Sequence, residues 1–513
     1  MIKKALPLRR IFPFAASAAL GAIVAVAVSR MLTLEFRYLA AAAVGVAMLA
    51  VAMVFVSRLR DLLFYLLAFN LAFTSIEKTL LRTGSPTFVT PGIGVGLADL
   101  TLGLLYLIWI ARILIKRDMP PRVTGLDLWV LAYVGAHALS LLTSINASLT
   151  VFETIRVAKY ALLYFFIAHN LRRYHIPYLI TGVLCALVIQ ASLGVVQQRT
   201  GRLMGVGRTK GAELSYEQYS VAGFEAVRRA EGTTFDSHAF GLYCAMILPI
   251  PIMLGVARGI PPYVRVLLAG GFVAGVTGVA ISFSRAGWLA TAVAVLILAG
   301  CFVRWREWRL LRVATTAGLV LAVAFTVPFA RQIKQRLFEA PPELIDARFE
   351  TYETAYTLWK QSPYLGLGAN TYMFAMESRM GVVDGDPYFI PPHNMLLLQL
   401  TELGPLGVLA FLGLTVSAIR RGFRVVFRSD DQVLRSLAAA LTAAAVVVHV
   451  EGLTDPIYVT NVTYYLFWFE LGLLGGVYAM ATAAQRSSEP ARLPVLAPPA
   501  LSPATGWTYR GGR

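Results

Sequence analysis

The chain has 513 residues, of which 57% are hydrophobic and only 14% charged, and its formal net charge is +18. That apolar weight excludes an ordinary soluble globular domain, where about a quarter of residues are charged. The basic surplus sits in short clusters between apolar runs and forms no continuous stripe, so nucleic acid is not an expected partner.

A bilayer-crossing helix needs about 20 mostly apolar residues, and about fourteen stretches qualify. They fall at 12–29, 38–57, 61–77, 97–115, 126–143, 158–171, 177–196, 239–257, 265–283, 287–303, 313–330, 394–415, 434–453 and 457–481. The expected fold class is therefore all-α: a polytopic transmembrane helical bundle with a long, partly helical periplasmic loop. The bundle takes residues 1–481 as a single unit, and the Pro- and Ser-rich stretch 482–513 reads as a disordered cytoplasmic tail.

The first run follows "MIKKALPLRR" and resembles a signal peptide in charge and hydrophobicity. It lacks a small-residue cleavage context and a second run follows at once, so it is read as an uncleaved first helix. Arg58 and Arg60 follow the second run, and Arg112, Lys116, Arg117 and Arg122 follow the fourth. The alternation continues through Arg172 and Arg173, Arg258 and Arg265, Arg304 to Arg312, and Arg420 to Arg428. By the positive-inside rule these connections and both termini are cytoplasmic. Cys185, Cys244 and Cys301 lie in or beside apolar runs without paired spacing, which suggests neither a disulfide framework nor a metal site.

Two connections on the opposite, outer side are long, 197–238 and 331–393, and dense in polar and aromatic residues. Loops that rich carry function more often than short ones. In the second, Phe349, Tyr352, Tyr356 and Trp359 recur at helical spacing, which predicts an amphipathic helix ending before Pro363 that lies on the membrane or packs on the bundle. In "PYLGLGANTY", Gly366 and Gly368 permit a tight course that either approaches a ligand or simply turns. "DGDPY", with Asp384 and Asp386, reads as a turn and not as a cation site.

Candidate chemistry also concentrates outside. Of six histidines, His238 and His393 are on the outer side. His393, in "PPHNMLLLQLTELGPLG", stands where a loop enters an apolar run, and a neutral imidazole there can take a proton from an attacking hydroxyl. The plainer reading is a histidine that caps the helix or bonds a neighbour, with Asn394 as the alternative cap. His137 and His449 fall inside apolar runs, where a bundle-facing polar contact is the default. Glu402 and the pair Glu451 and Asp455 either line a cavity or brace helices.

Arg285, in "AISFSRAGWLA", falls in an outer connection, where positive charge is disfavoured and needs a specific reason. Arg348 opens the aromatic helix, and Arg228 and Arg229 lie in "VRRAEGTTFDSHAFG". Guanidinium groups bind phosphate bidentately and keep their charge, so these arginines can converge on an anionic ligand. Singly, each is equally read as snorkelling to headgroups. No phosphate-cradling Gly-rich loop, paired-histidine metalloprotease helix or nucleophile elbow is present.

Four of these stretches, in order, resemble the O-antigen ligase and polymerase superfamily. They are "EGTTFDSHAFGLYCAMILP", "SFSRAGWLA", "ARFETYETAYTLWKQSPYLGLGANTY" and "PPHNMLLLQLTELGPLGVLAFLGL", together covering roughly 228–415. His238 departs from the pattern, since many relatives carry asparagine in that segment. The resemblance implies a metal-independent, inverting glycosyltransferase of the bacterial inner membrane, acting on its periplasmic side without a cofactor. Its donor would be a glycan on undecaprenyl diphosphate, and its acceptor a saccharide or lipid-linked saccharide. Membrane lipids and other polysaccharide assembly proteins are the further expected partners.

Carried over by motif position, His393 would activate the acceptor hydroxyl while Arg285 and Arg348 hold the diphosphate. Arg228, Arg229, His238, Asn394, Tyr352 and Glu402 complete the set expected to contact substrate. Ligase and polymerase activities are not separated by the motifs. A flippase or transporter of lipid-linked saccharides is the competing reading, weakened by the lack of any internal repeat. A non-catalytic scaffold is a third.

Overall fold

The computed structural model describes residues 57–74, 77–85, 92–115, 124–201, 229–258, 260, 262–327, 329–338, 343–382, 390–456 and 460–488. The run expected at 12–29 and all but Ser57 of the run at 38–57 lie outside these residues, as do Arg228, Asp384, Asp386 and the tail from 489.

In chain order the helices are α1 (Ser57–Asn70), α2 (Leu97–Leu114), α3 (Gly125–Leu139), α4 (Ala147–Asn170), α5 (Ile176–Thr200), α6 (Ser237–Ile247), α7 (Pro249–Gly255) and α8 (Pro262–Ile281). There follow α9 (Arg285–Arg304), α10 (Trp308–Thr326), α11 (Ala330–Phe338), α12 (Glu343–Trp359), α13 (Tyr372–Ala375), α14 (Met395–Arg428), α15 (Gln432–Gly452) and α16 (Asn461–Ser488). Among the described residues, 9 helices are long and apolar enough to cross a membrane. The expected runs 61–77, 158–171 and 313–330 correspond to α1, α4 and α10. The all-α expectation needs one amendment, an antiparallel hairpin of β1 (Lys78–Arg82) and β2 (Gly92–Val95) between α1 and α2.

Polar residues at the ends of the apolar runs start the helices. Asn146 caps α4 through the Leu149 amide, Asp236 caps α6 through Ala239, Ser284 caps α9 through Gly287, and Asn394 caps α14 through Leu397. Each such cap satisfies an amide that the helix leaves without a partner.

The hub of the bundle is α15, which packs against α6, α7, α9, α14 and α16. Its run Ala438, Ala439, Ala440, Ala443, Ala444 and Ala445 is buried throughout. Between helices in lipid, small side chains of this kind allow the close approach on which packing depends. Bulk comes from the partners: Trp468, Tyr464 and Tyr465 of α16 are buried against Tyr160 of α4 and Tyr133 of α3.

Several charges inside this apolar body are paired, which offsets the several kcal/mol that an isolated one costs. Arg156 meets Glu153 at 2.7 Å and donates to Asn461 Oδ1 at 3.1 Å, while Asn461 Nδ2 donates to Glu77 Oε1 at 2.7 Å. Lys159 Nζ donates to the Gly94 carbonyl at 3.0 Å and lies 3.1 Å from Asp99. The hairpin is thereby fastened to α2, α4 and α16.

The glycine motif after α12 is explained by α14. Within α14, Gly404 has φ 66 and ψ −172 and Pro405 follows. Proline has no N–H for the Thr401 carbonyl, and the break at Gly404 strips Glu402 of its helical donor too. The amides of Leu367 and Gly368 take their places, donating to the Thr401 and Glu402 carbonyls at 2.9 and 3.0 Å. Of the two readings offered for "PYLGLG", the backbone turn is the one the structure adopts.

Candidate active site

The loop 229–236, the α8–α9 turn, α12, the start of α14 and the residues after α15 meet at one end of the bundle. The loop from 229 is pinned there by two bonds: the Ala230 amide donates to the Ile281 carbonyl at 3.1 Å, and Arg229 Nε to the Ser282 carbonyl at 2.9 Å. Phe235 and Phe283, the residues just before the caps Asp236 and Ser284, both hold positive φ, 61° and 49°. For a bulky residue that conformation costs about 1–3 kcal/mol, and such strain gathers at functional sites.

His238, in the first turn of α6, has both ring nitrogens engaged. Arg229 Nη1 lies 3.3 Å from Nε2, and Ser284 Oγ lies 3.3 Å from Nδ1. Arginine only donates, so Nε2 accepts and the proton of the neutral ring is on Nδ1, directed at Ser284. Ser284 Oγ in turn donates to Glu451 Oε1 at 3.3 Å. The other oxygen of Glu451 is buried with no hydrogen-bond partner among the described residues.

His393 is about one-third exposed, with Nδ1 3.5 Å from Asp455 Oδ1. The same carboxylate reaches His238, whose Nδ1 is 3.9 Å from Oδ2. Asp455 thus stands between two imidazoles, one in the first turn of α6 and the other just ahead of α14. It is held in place by its own amide, which donates to the Glu451 carbonyl at 3.0 Å. The main-chain oxygen of His393 accepts from Tyr352 of α12 at 3.1 Å.

Burial, the largest influence on Asp455, acts to raise its pKa. The hydrogen bond from His393 and the positive character of His238, His393 and Arg348 overcome it and hold the carboxyl below its ordinary value. Asp236 goes the other way, raised from 3.8 to about 6 by burial first and then by the negative charge of Asp455. The two carboxylates have environments that push their titrations apart, a mark of acid–base sites.

Of the residues expected from the sequence, Arg229, His238, Arg348, Tyr352 and His393 come together around Asp455. Arg348 is half-buried on α12, near enough for its charge to act on both Asp455 and Tyr352. Arg285 is exposed in the first turn of α9, next to Ser284. Asn394 caps α14 at 3.0 Å and donates to the Leu453 carbonyl at 3.4 Å, which makes it a brace between α14 and the Asp455 segment.

Glu402 lies away from this group. It is 6% exposed, and Oε1 accepts from the Tyr372 amide at 3.1 Å, so of its two readings it braces. His137 and His449 each bond a carbonyl one turn back, Tyr133 at 2.9 Å and Ala445 at 2.8 Å. On α12 the buried face is Thr351, Ala355 and Leu358, while Phe349 and Tyr356 are exposed. That helix packs on α14, through a face other than the aromatic stripe.

Asp236 and Ser284 were not singled out from the sequence, although each occupies a cap position that a Ser/Asp-before-helix pattern reveals. The contact of Asp455 with His393 has no signal in sequence spacing. Among the described residues no group of three or more His, Cys, Asp or Glu side chains is placed to hold a metal ion.

Residues 270–412 match the O-antigen ligase family model. The chain carries the domain of the O-antigen ligase and polymerase superfamily. This O-antigen ligase domain runs from α8 into α14 and so includes Ser284, Arg285, Arg348 and His393. His238 and Asp455 lie outside the matched stretch yet meet its Ser284 and His393 in space. In general terms the domain supports a glycosyltransferase of the O-antigen ligase or polymerase type.

Among solved structures, a chain from one titled "Structural coordination of polymerization and crosslinking by a peptidoglycan synthase complex" is similar at 18% identity and TM-score 0.37, covering 70% of this chain and 97% of that one. Among curated proteins there is no match to the sequence.

Proposed function

We propose that the protein transfers a glycan from undecaprenyl diphosphate to an acceptor hydroxyl at the periplasmic face of the bacterial inner membrane. In this reading the acceptor oxygen attacks the anomeric carbon as the bond from that carbon to the diphosphate oxygen breaks. The electron pair leaves with the diphosphate, and the acceptor proton passes to His393 Nε2. Asp455, against Nδ1, orients the ring and steadies the imidazolium that forms.

Expulsion of a diphosphate needs its growing negative charge met, and preorganised guanidinium groups do this in a water-poor site. Arg285 and Arg348 take that role. In-line displacement inverts the anomeric configuration. The observation that carries the reading is the His393–Asp455 pair, standing beside Arg348 at a half-exposed end of a membrane bundle. Ligase and polymerase differ only in the acceptor that reaches His393.

The test is to reconstitute the protein in vesicles with a lipid-linked oligosaccharide and candidate acceptors, with and without chelator. Stoichiometric undecaprenyl diphosphate and an inverted glycoside, both indifferent to chelator, are expected. Movement of labelled lipid-linked sugar across the vesicle wall without its cleavage would instead make the protein a transporter.

A further inference from the structure

One side of α10 bears a feature remote from the proposed catalytic end. Arg309, Arg312, Val313, Thr316 and Ala317 line a cleft of about 490 Å³. Their spacing, three or four residues apart, puts them on one face of the helix. Arg309, Arg312, Val313 and Thr316 are all exposed, and the stripe continues upward into exposed Val320. The opposite face holds the helix to the bundle through Leu310 and Leu311.

The stripe is polarised. Two arginines sit at its lower end, with no acidic side chain among the lining residues, and everything above them is small or apolar. At 1.5 Å per residue, Arg309 to Val320 spans roughly 16 Å, about half the hydrocarbon thickness of a bilayer. Charge at one end and one leaflet's depth of apolar groove match the shape of a single lipid.

Near these arginines, Trp305 donates to the Val426 carbonyl at the end of α14, and the Arg258 amide donates to Gln432 at the start of α15. Arg304, Arg306, Arg258 and Arg265 therefore gather at the same end of the bundle. Basic clusters of this kind face anionic headgroups, each arginine contributing about 1 kcal/mol. What separates Arg309 and Arg312 from the rest of the cluster is the groove that rises directly above them.

We propose that the α10 face is a binding site for one anionic glycerophospholipid, its phosphate held by Arg309 and Arg312 and an acyl chain lying along Val313, Thr316, Ala317 and Val320. A lipid held there fills the cleft beside α10, which otherwise presents exposed Val313, Leu319, Val320 and Val323.

Native mass spectrometry of the full chain, released from nanodiscs of mixed phosphatidylglycerol and phosphatidylcholine, tests this. Wild type should retain one phosphatidylglycerol in preference to phosphatidylcholine. Arg309→Gln with Arg312→Gln should lower that preference roughly thirty-fold, in line with the loss of two such contacts. Arg309→Lys with Arg312→Lys should retain most of it, and Thr316→Trp, which fills the groove and leaves both charges, should reduce it. Arg258→Gln with Arg265→Gln, at the same end but away from the groove, should leave it unchanged. Equal loss in the Arg258/Arg265 pair would mean a diffuse basic surface and overturn the site. So would retention unchanged by both the Gln pair and Thr316→Trp, as expected if another part of the chain covers the stripe.

Discussion

At the scale of single residues, the proposed chemistry rests on Asp455. It lies 3.5 Å from one imidazole and 3.9 Å from another, and its carboxyl is held in the ionised form by that company. If Asp455 positions His393, Asp455→Asn lowers kcat of glycan transfer roughly ten-fold or more while KM stays near wild type. A matching rise in KM with kcat intact would make it a substrate contact.

Asp236 offers a test by stability. Its folded pKa, about 6, is above the ordinary 3.8, so the neutral form is the one that the fold favours. The stability due to that group is complete below pH 3.8 and is lost as pH rises through about 6. Asp236→Asn keeps an N-cap acceptor and never ionises. Its melting temperature in detergent relative to wild type should therefore climb across that interval and level off above it. A difference independent of pH would place the raised titration elsewhere.

Among the elements, the joint between α14 and the segment after α12 depends on two backbones in contact. Gly366, at φ +71, would place a Cβ 2.3 Å from the Glu402 carbonyl carbon, and Gly404, at φ +66, would place one 2.2 Å from the Tyr364 carbonyl oxygen. Gly381 has a similar φ of +70 but nothing among the described residues within 4 Å of its Cβ position. Gly366→Ala should thus destabilise the protein by at least about 2 kcal/mol, through strain and clash together. Gly381→Ala should lose only about 1 kcal/mol, from the left-handed conformation alone. Comparable melting temperatures for the two variants would show that the contact does not hold α14.

This element shows how far the sequence could be read. A helix ending before Pro363, a turn at Gly366 and Gly368, and a helix opening at Asn394 all follow from local chemistry. That "LGLG" supplies the amides missing at "ELGPLG" does not, because the pairing is tertiary. The aromatic stripe on α12 was visible by periodicity, but periodicity does not say which face is buried, and Thr351, Ala355 and Leu358 turn inward to meet α14.

On the scale of the whole molecule, the apolar runs fix the helices, and the alternating basic connections place the polar loops at one common end. That is why His393 and Arg285 could be picked out at the ends of apolar runs, and Arg348 at the start of the aromatic helix. His238 and Asp455 were visible singly as well, but their meeting with Ser284 and His393 was not, since these residues come together only when α6, α9 and α15 pack. The Ala-rich α15 makes that packing possible and carries Glu451 and Asp455 to the site.

The most direct test of the account is the rate of undecaprenyl diphosphate release from a lipid-linked oligosaccharide in vesicles, compared among wild type, His393→Ala and Arg285→Ala of equal melting temperature. Loss of a general base lowers the rate roughly 100-fold to 10,000-fold, and loss of a leaving-group contact roughly 100-fold to 1,000-fold. Both variants are expected to fall within those ranges. Release at the wild-type rate in both would remove His393 and Arg285 from the chemistry and contradict the assignment.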